Sequence, residues 1–168
     1  MVDDSSQRPP LDKRAFRDAL GAFATGITVI SCRSPGGDPN GVTVNSFSSL
    51  SLDPPLVLFC LGRDAVSWPA FTSARHFAVN VLSRAQEALS NRFADPAGAS
   101  WEGVVHETWE TGCPILAGAA ASFECECRHR YDGGDHVIVV GEVKRMAFDA
   151  SRQPLIYWRG RYAGLGEG

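Results

Sequence analysis

Two strand-like runs, "ASFECECRHRY" and "HVIVVGEVKRMAF", are joined by "DGGD". A short glycine-rich connection between such runs predicts an antiparallel hairpin, because glycine supplies the positive φ that tight hairpin turns demand. "ITVISC", the stretch returning from Gly41, "LVLFCL", "HFAVNVL" and "PLIYW" add further strands, mostly in hairpin order. The repeating βαβ units of a doubly wound parallel sheet do not occur. The expectation is therefore a mostly β chain, an antiparallel barrel of roughly six strands with two or three flanking helices. "LVLFCL" is apolar enough to be buried on both faces.

Three segments carry helix signals. Asp12 is placed to cap a helix that sets Phe16, Leu20 and Phe23 on one face and ends at Gly26. A short helix starts at Ser67, with Pro69 tolerated in its first turn. Ser83 and Gln86 form the capping-box pattern S-x-x-Q ahead of Leu89 and Phe93. "SPGGDPNG" and "ADPAGASWEG" read as loops.

At 168 residues the chain suits one domain, expected over 11–168, with 1–10 as a disordered tail. A net charge of −3 argues against a phosphate-backbone ligand, so no nucleic-acid partner is expected. The longest apolar run, "PPLVLFCLG", is broken by Pro54, Pro55 and Gly62, far short of the roughly 20 residues that cross a bilayer, and no membrane association is expected. "MVDDSSQRPP" has neither a basic nor an apolar leader region. Five cysteines without paired framework spacing suit a reducing compartment, and a cytoplasmic location follows as the default.

The stretch from Gly41 to Gly62 is unusual for a packing strand, because Thr43, Asn45, Ser46, Ser48, Ser49 and Ser51 interrupt its apolar residues. Such a ribbon offers neutral donors and acceptors that suit a planar heterocycle edged with carbonyls and ring nitrogens. The wet edge of a strand would show the same composition. No Rossmann or P-loop glycine pattern, nucleophile elbow or H-E-x-x-H motif is present. "CECRH" sets Cys125, Cys127 and His129 on one face of a strand, but the outer two would lie roughly 13 Å apart. Zinc ligands must approach within about 2.0–2.3 Å of one ion, so no metal site is expected.

"FRDALGAFATGITVIS", "GVTVNSFSSLSLDPPLVLFCL", "FAVNVLS", "GGDHVIVVGEV" and "PLIYWRGRYAGL" together resemble the flavin reductase family that supplies reduced flavin to two-component monooxygenases. The five blocks stand in the family's order from about Phe16 to Leu165. The resemblance implies a split barrel of the FMN-binding type, a homodimer, and a separate flavin-dependent monooxygenase as partner. It also implies FMN or FAD as acceptor and NADH or NADPH as hydride donor.

By the same resemblance Thr43, Val44, Asn45, Ser46, Phe47 and Ser49 line the flavin, largely through backbone groups, and Cys60, Leu61, Ser67 and Gln86 belong to the cofactor site. Ser83, at a helix start, and Arg92 further along are candidates for the flavin phosphate. His136, in "GDH", is expected beside the nicotinamide. Arg159, Gly160, Arg161 and Tyr162 are expected to contact the dinucleotide. An electron-carrying protein that keeps its FMN tightly is the alternative reading.

Overall fold

A computed structural model describes residues 11–95, 97 and 99–166; the tail expected over 1–10 lies outside them. In chain order the elements are α1 (Lys13–Leu20), β1 (Thr25–Gly26), β2 (Thr28–Arg33), β3 (Pro39–Val44), β4 (Ser48–Leu52) and β5 (Pro55–Gly62). There follow α2 (Trp68–Ser73), β6 (His76–Val81), a 3-10 turn (Arg84–Gln86), α3 (Glu87–Phe93), β7 (His106–Thr108) and β8 (Pro114–Leu116). β9 (Ala121–Gly133), β10 (His136–Phe148), β11 (Ile156–Trp158) and β12 (Arg161–Ala163) complete the fold.

A seven-stranded antiparallel sheet in the order β3-β2-β6-β9-β10-β5-β4 forms the body, beside a three-stranded sheet β1-β11-β12 and the pair β7-β8. The β9–β10 hairpin dominates it, pairing from His136 with Gly133 to Phe148 with Ala121. Two register irregularities in this ladder increase the local twist that coils the sheet. The curl closes where β3 ends: Ser46 Oγ donates to Cys60 O at 3.1 Å and accepts from Cys60 N at 3.0 Å, tying the end of β3 to β5. The result is the antiparallel barrel expected from the strand order, of the split type that the resemblance implies.

Phe59, Phe71 and Phe77 fill the interior with Ile30, Val79, Cys125 and Val139. The Phe59 and Phe77 rings meet edge to face at 5.1 Å between centroids, a favourable aromatic geometry. Asn80, fully buried, donates to Val29 O and Ser31 Oγ and accepts from Leu116 N and Ser122 Oγ, so its amide is satisfied inside the barrel.

Several expected boundaries move. α1 ends at Gly21, whose amide bonds Ala19 O and Arg17 O, and Gly26 instead pairs with Ile156 in β1–β11. Phe16 and Leu20 lie on α1, Phe23 falls beyond its end and not on the helix face expected for it, and all three are exposed. β3 begins at Pro39, inside the expected loop, because its register with β2 extends to Arg33. β5 is buried on the face of Val57, Phe59 and Leu61 and half-buried on that of Leu58 and Cys60.

On β9 and β10, Glu126 and Glu142 stand directly opposite each other. Lys144 bonds Glu142 at 2.6 Å and approaches Glu126 at 3.4 Å, Arg128 bonds Glu142 at 2.7 Å, and Arg75 bonds Glu126 at 3.2 Å. Arg75 first and Lys144 next hold the Glu126 carboxyl below its ordinary value; Lys144 and then Arg128 do so for Glu142. A carboxyl depressed in the folded state contributes stability above its unfolded value and loses it as pH falls. We therefore expect the melting temperature to drop as pH is lowered from about 5 to about 3. Glu142→Gln should flatten that decline, and an identical pH profile in the variant would exclude the network as its source.

Candidate functional site

β3 runs out at Val44, and residues 45–47 cross to β4 over the split. Across the split stand the end of β5 and the start of β10, whose His136 pairs with Gly62. Residues 42–46, 60–62 and His136 enclose a cavity of about 390 Å³. The fold thus brings Thr43, Val44, Asn45, Ser46, Cys60, Leu61 and His136 together.

Their side chains divide by task. Thr43 Oγ1 donates to Ser90 O at 2.7 Å, anchoring β3 to α3, and Ser46 Oγ is spent on Cys60. Leu61 is buried in the core, and Val44 packs against it. Asn45 is exposed and, among the described residues, makes no side-chain hydrogen bond, so its amide is free to face a ligand. Phe47 stacks on Phe123 with centroids 6.0 Å apart, stiffening the crossing. A Cβ on Gly62 would stand 2.9 Å from Asp64 Oδ1 and 3.7 Å from His136 Nε2, so glycine keeps the wall beside the imidazole open.

His136 is half-exposed, and its Nδ1 lies 2.7 Å from Asp135 Oδ1. That bond holds the Asp135 carboxyl below its usual range. With Asp135 ionised, Nδ1 carries the proton and Nε2 stays open on the cavity side. The turn itself is pinned by Arg63, which donates to Asp132 Oδ1 at 2.5 Å, to Gly134 O at 3.0 Å and, through its backbone, to Asp135 O at 3.0 Å. Its guanidinium also lies over the Trp68 ring, 5.4 Å from the centroid. Sequence reasoning missed Arg63; the two aspartates of "DGGD" were the readable signal for a cation partner.

A second cavity, about 940 Å³, opens beside the first, with Asn45 in both walls. Its lining comes from α1 and the segment after it (Arg17, Asp18, residues 20–23), from Thr25 and Tyr157, and from Arg159 and Gly160 at the β11–β12 turn. Arg159 is held at φ 48°, its amide donates to Gly21 O at 3.0 Å, and its guanidinium stacks on Trp158 at 4.6 Å.

Other expected site residues take other places. Ser67 lines a neighbouring cavity of about 340 Å³ with Thr43 and Asp64. Ser49 is exposed on the edge strand β4. Ser83 is buried, with its capping box complete: Gln86 Oε1 accepts from Ser83 N at 3.0 Å while Gln86 Nε2 donates to Ala117 O at 2.9 Å. Arg92 donates to Glu102 O at 3.0 Å and fastens a loop. Tyr162 Oη meets Ser90 Oγ at 2.8 Å and donates to Asn91 Oδ1 at 2.9 Å, so it braces α3; Arg161 is exposed.

The donor set fits the implied flavin and dinucleotide. The smaller cavity offers an amide, backbone groups, apolar walls and one imidazole, the inventory that orients a carbonyl-edged heterocycle without a buried charge. The larger one carries two guanidinium groups, from Arg17 and Arg159.

The probable flavin reductase of Rhizobium meliloti is 47% identical over 152 residues, 90% of this chain, and the chain spans 48% of that relative's length. The FMN reductase (NADH) SmoA of Agrobacterium fabrum is 48% identical over 136 residues, covering 81% of this chain and 77% of the relative. Among solved structures, the Streptomyces globisporus NADH:FAD oxidoreductase SgcE6, in complex with NAD and FAD fragments, superimposes with a TM-score of 0.88 at 38% identity, covering 94% of this chain and 95% of that one. The model of the flavin reductase like domain matches residues 20–166, a span that holds β1 to β12, the whole lining of the smaller cavity and all of the larger one's but Arg17 and Asp18, and the chain belongs to the flavin reductase family.

Proposed function

We propose that the protein is an NAD(P)H-dependent flavin reductase that takes FMN or FAD as acceptor and passes the reduced flavin to a separate flavin-dependent monooxygenase. The observation that carries this reading is Asn45 in the walls of two adjoining cavities, one holding the imidazole and the other the arginines. Relatives named as reductase subunits of flavin-dependent monooxygenases support the partner.

A bound flavin supplies N5, which accepts a hydride from nicotinamide C4. The chain's own work is to bind, orient and exclude water. Residues 43–46, with Cys60 and Leu61 opposite, hold the ring system through backbone groups and the Asn45 amide. His136, oriented by Asp135, positions the nicotinamide from Nε2. The cavity around His136 is lined by neither lysine nor arginine, which suits an acceptor that must leave. Exposed apolar residues on the sheet, Leu52 on β4 and Phe148 on β10, favour a homodimer. Five free thiols, three of them buried, suit a reducing cytoplasm; among the described residues no helix is long and apolar enough to cross a membrane.

The test is oxidation of NADH by the purified protein with FMN, FAD, riboflavin or no flavin added. Saturable, flavin-dependent turnover is expected, and Asn45→Ala should weaken flavin binding about tenfold, the worth of one good hydrogen bond. Tightly retained flavin without turnover would select the electron-carrier reading, and no response to flavin or nucleotide would refute both.

A further inference from the structure

We propose that Asp64 determines which flavin this chain prefers. The cavity it lines takes the uncharged ribityl chain and disfavours a terminal phosphate, so that riboflavin binds more tightly than FMN, with FAD between them. The proposal rests on the reductase reading and ranks the acceptors of that same site.

The cavity of about 340 Å³ beside the start of α2 shares Val42 and Thr43 with the cavity that holds His136. A ring system seated against residues 43–46 therefore has two neighbouring spaces, this one and the larger cavity reached past Asn45. The larger one carries the expected dinucleotide contacts, Arg159 and Gly160, which leaves the 340 Å³ cavity for the chain attached to the flavin ring. Its charged groups are the carboxylates of Asp64 and Asp95, with neither lysine nor arginine among the described lining residues.

The cations nearest in sequence are engaged elsewhere. Arg63, beside Asp64 in the chain, bonds Asp132 and Gly134 O at the β9–β10 turn. Arg92 bonds Glu102 O, and Ser83, the other group expected to hold a phosphate, is closed by its capping box. Asp64 is exposed and, among the described residues, has neither an ion pair nor a side-chain hydrogen bond. A Cβ on Gly62 would stand 2.9 Å from Asp64 Oδ1 and 3.7 Å from His136 Nε2, so the free carboxylate lies at the rim of the ring cavity. Ser67, on the same wall, makes no capping bond with its hydroxyl. Carboxylates only accept hydrogen bonds, and the hydroxyls of a ribityl chain can donate to them. A phosphate monoester, close to doubly charged at pH 7 and above, offers acceptors and a like charge instead. In FAD the phosphate next to the ribityl chain carries one charge fewer, which places it between the two.

The experiment titrates riboflavin, FMN, FAD and lumiflavin, the ring without its chain, into the flavin-free full-length protein by flavin fluorescence, with NADH turnover measured in parallel. In the wild type at low salt riboflavin is expected to bind about tenfold more tightly than FMN, the size of one like-charge contact at a partly exposed site. Lumiflavin should bind more weakly than riboflavin, because it lacks the hydroxyls. Raising the salt to about 1 M should bring FMN close to riboflavin, since charges more than about 3 Å apart are then screened. Asp64→Asn should close most of the gap at low salt, with a smaller change for riboflavin because the amide oxygen still accepts a hydroxyl, and Asp64→Lys should place FMN ahead. Wild-type FMN binding as tight as that of riboflavin or FAD, with flavin-dependent turnover intact, overturns the selection alone. A riboflavin preference that neither salt nor the two variants change belongs to the shape of the cavity and also overturns the role of Asp64. Lumiflavin binding as tight as that of riboflavin removes the chain from the cavity and overturns it likewise. Absence of flavin binding and of turnover in the wild type overturns the reductase reading and the selection with it.

Discussion

Gly141→Ala is expected to cost about 3 kcal/mol of folding stability, the upper range for overpacking a well-filled core. Gly141 lies on β10 opposite Val57 and Cys127, at the centre of the sheet. A Cβ there would sit 2.3 Å from Phe77 Cζ, 2.7 Å from Phe77 Cε1 and 3.0 Å from Cys125 Cβ. Phe77 cannot yield, being 2% exposed and packed edge to face on Phe59. In a chain of this size that loss lowers the melting temperature by roughly 6–12 °C. Urea denaturation is the direct measurement, and adding Phe77→Leu should return part of the loss, since the removed ring atoms make room for the methyl. A single variant as stable as the wild type would show that the interior is looser than its geometry states.

His136→Ala is expected to lower kcat/KM for NADH about 100-fold while leaving flavin affinity and melting temperature near wild type. The size follows from positioning: misplacing a reactant by about 1 Å costs on the order of 10² in rate. The fold should tolerate the change, since His136 is half-exposed and its side-chain partner is the neighbouring Asp135. Asp135→Asn keeps the ring but weakens its anchor, so a smaller loss of about tenfold is expected. Stopped-flow reduction of the added flavin separates the two effects from product release. Wild-type kinetics in His136→Ala would remove the imidazole from the mechanism and leave the backbone of residues 43–46 to orient both rings.

Part of the site was legible because it lies in contiguous sequence. The ribbon from Thr43 to Ser46 announces itself by hydroxyl and amide groups where a packing strand would be apolar, and His136 is marked by the glycine turn before it. Which hydroxyls stay free is a tertiary fact. Thr43, Ser46 and Tyr162 carry the right groups for a ligand, yet their oxygens bond Ser90, Cys60 and Asn91. Ser83 and Gln86 form the predicted capping box, and its completion uses the groups that an anion would need. Arg17 belongs to no motif, and its place in the wall of the larger cavity depends on what faces it.

The sequence by itself determined the antiparallel β class and the hairpin whose turn carries His136, because these depend on local pattern, apolar runs and glycine turns within a few positions of one another; the class of cofactor chemistry came from the resemblance to the flavin reductase family. Only the tertiary structure decided which polar groups remain free. The barrel closes through a bond between Ser46 and Cys60, fourteen residues apart, and the two arginines of the larger cavity come from opposite ends of the chain. Closure over such separations depends on how the whole sheet coils, and that coil sums small twists along every strand, which no local pattern records.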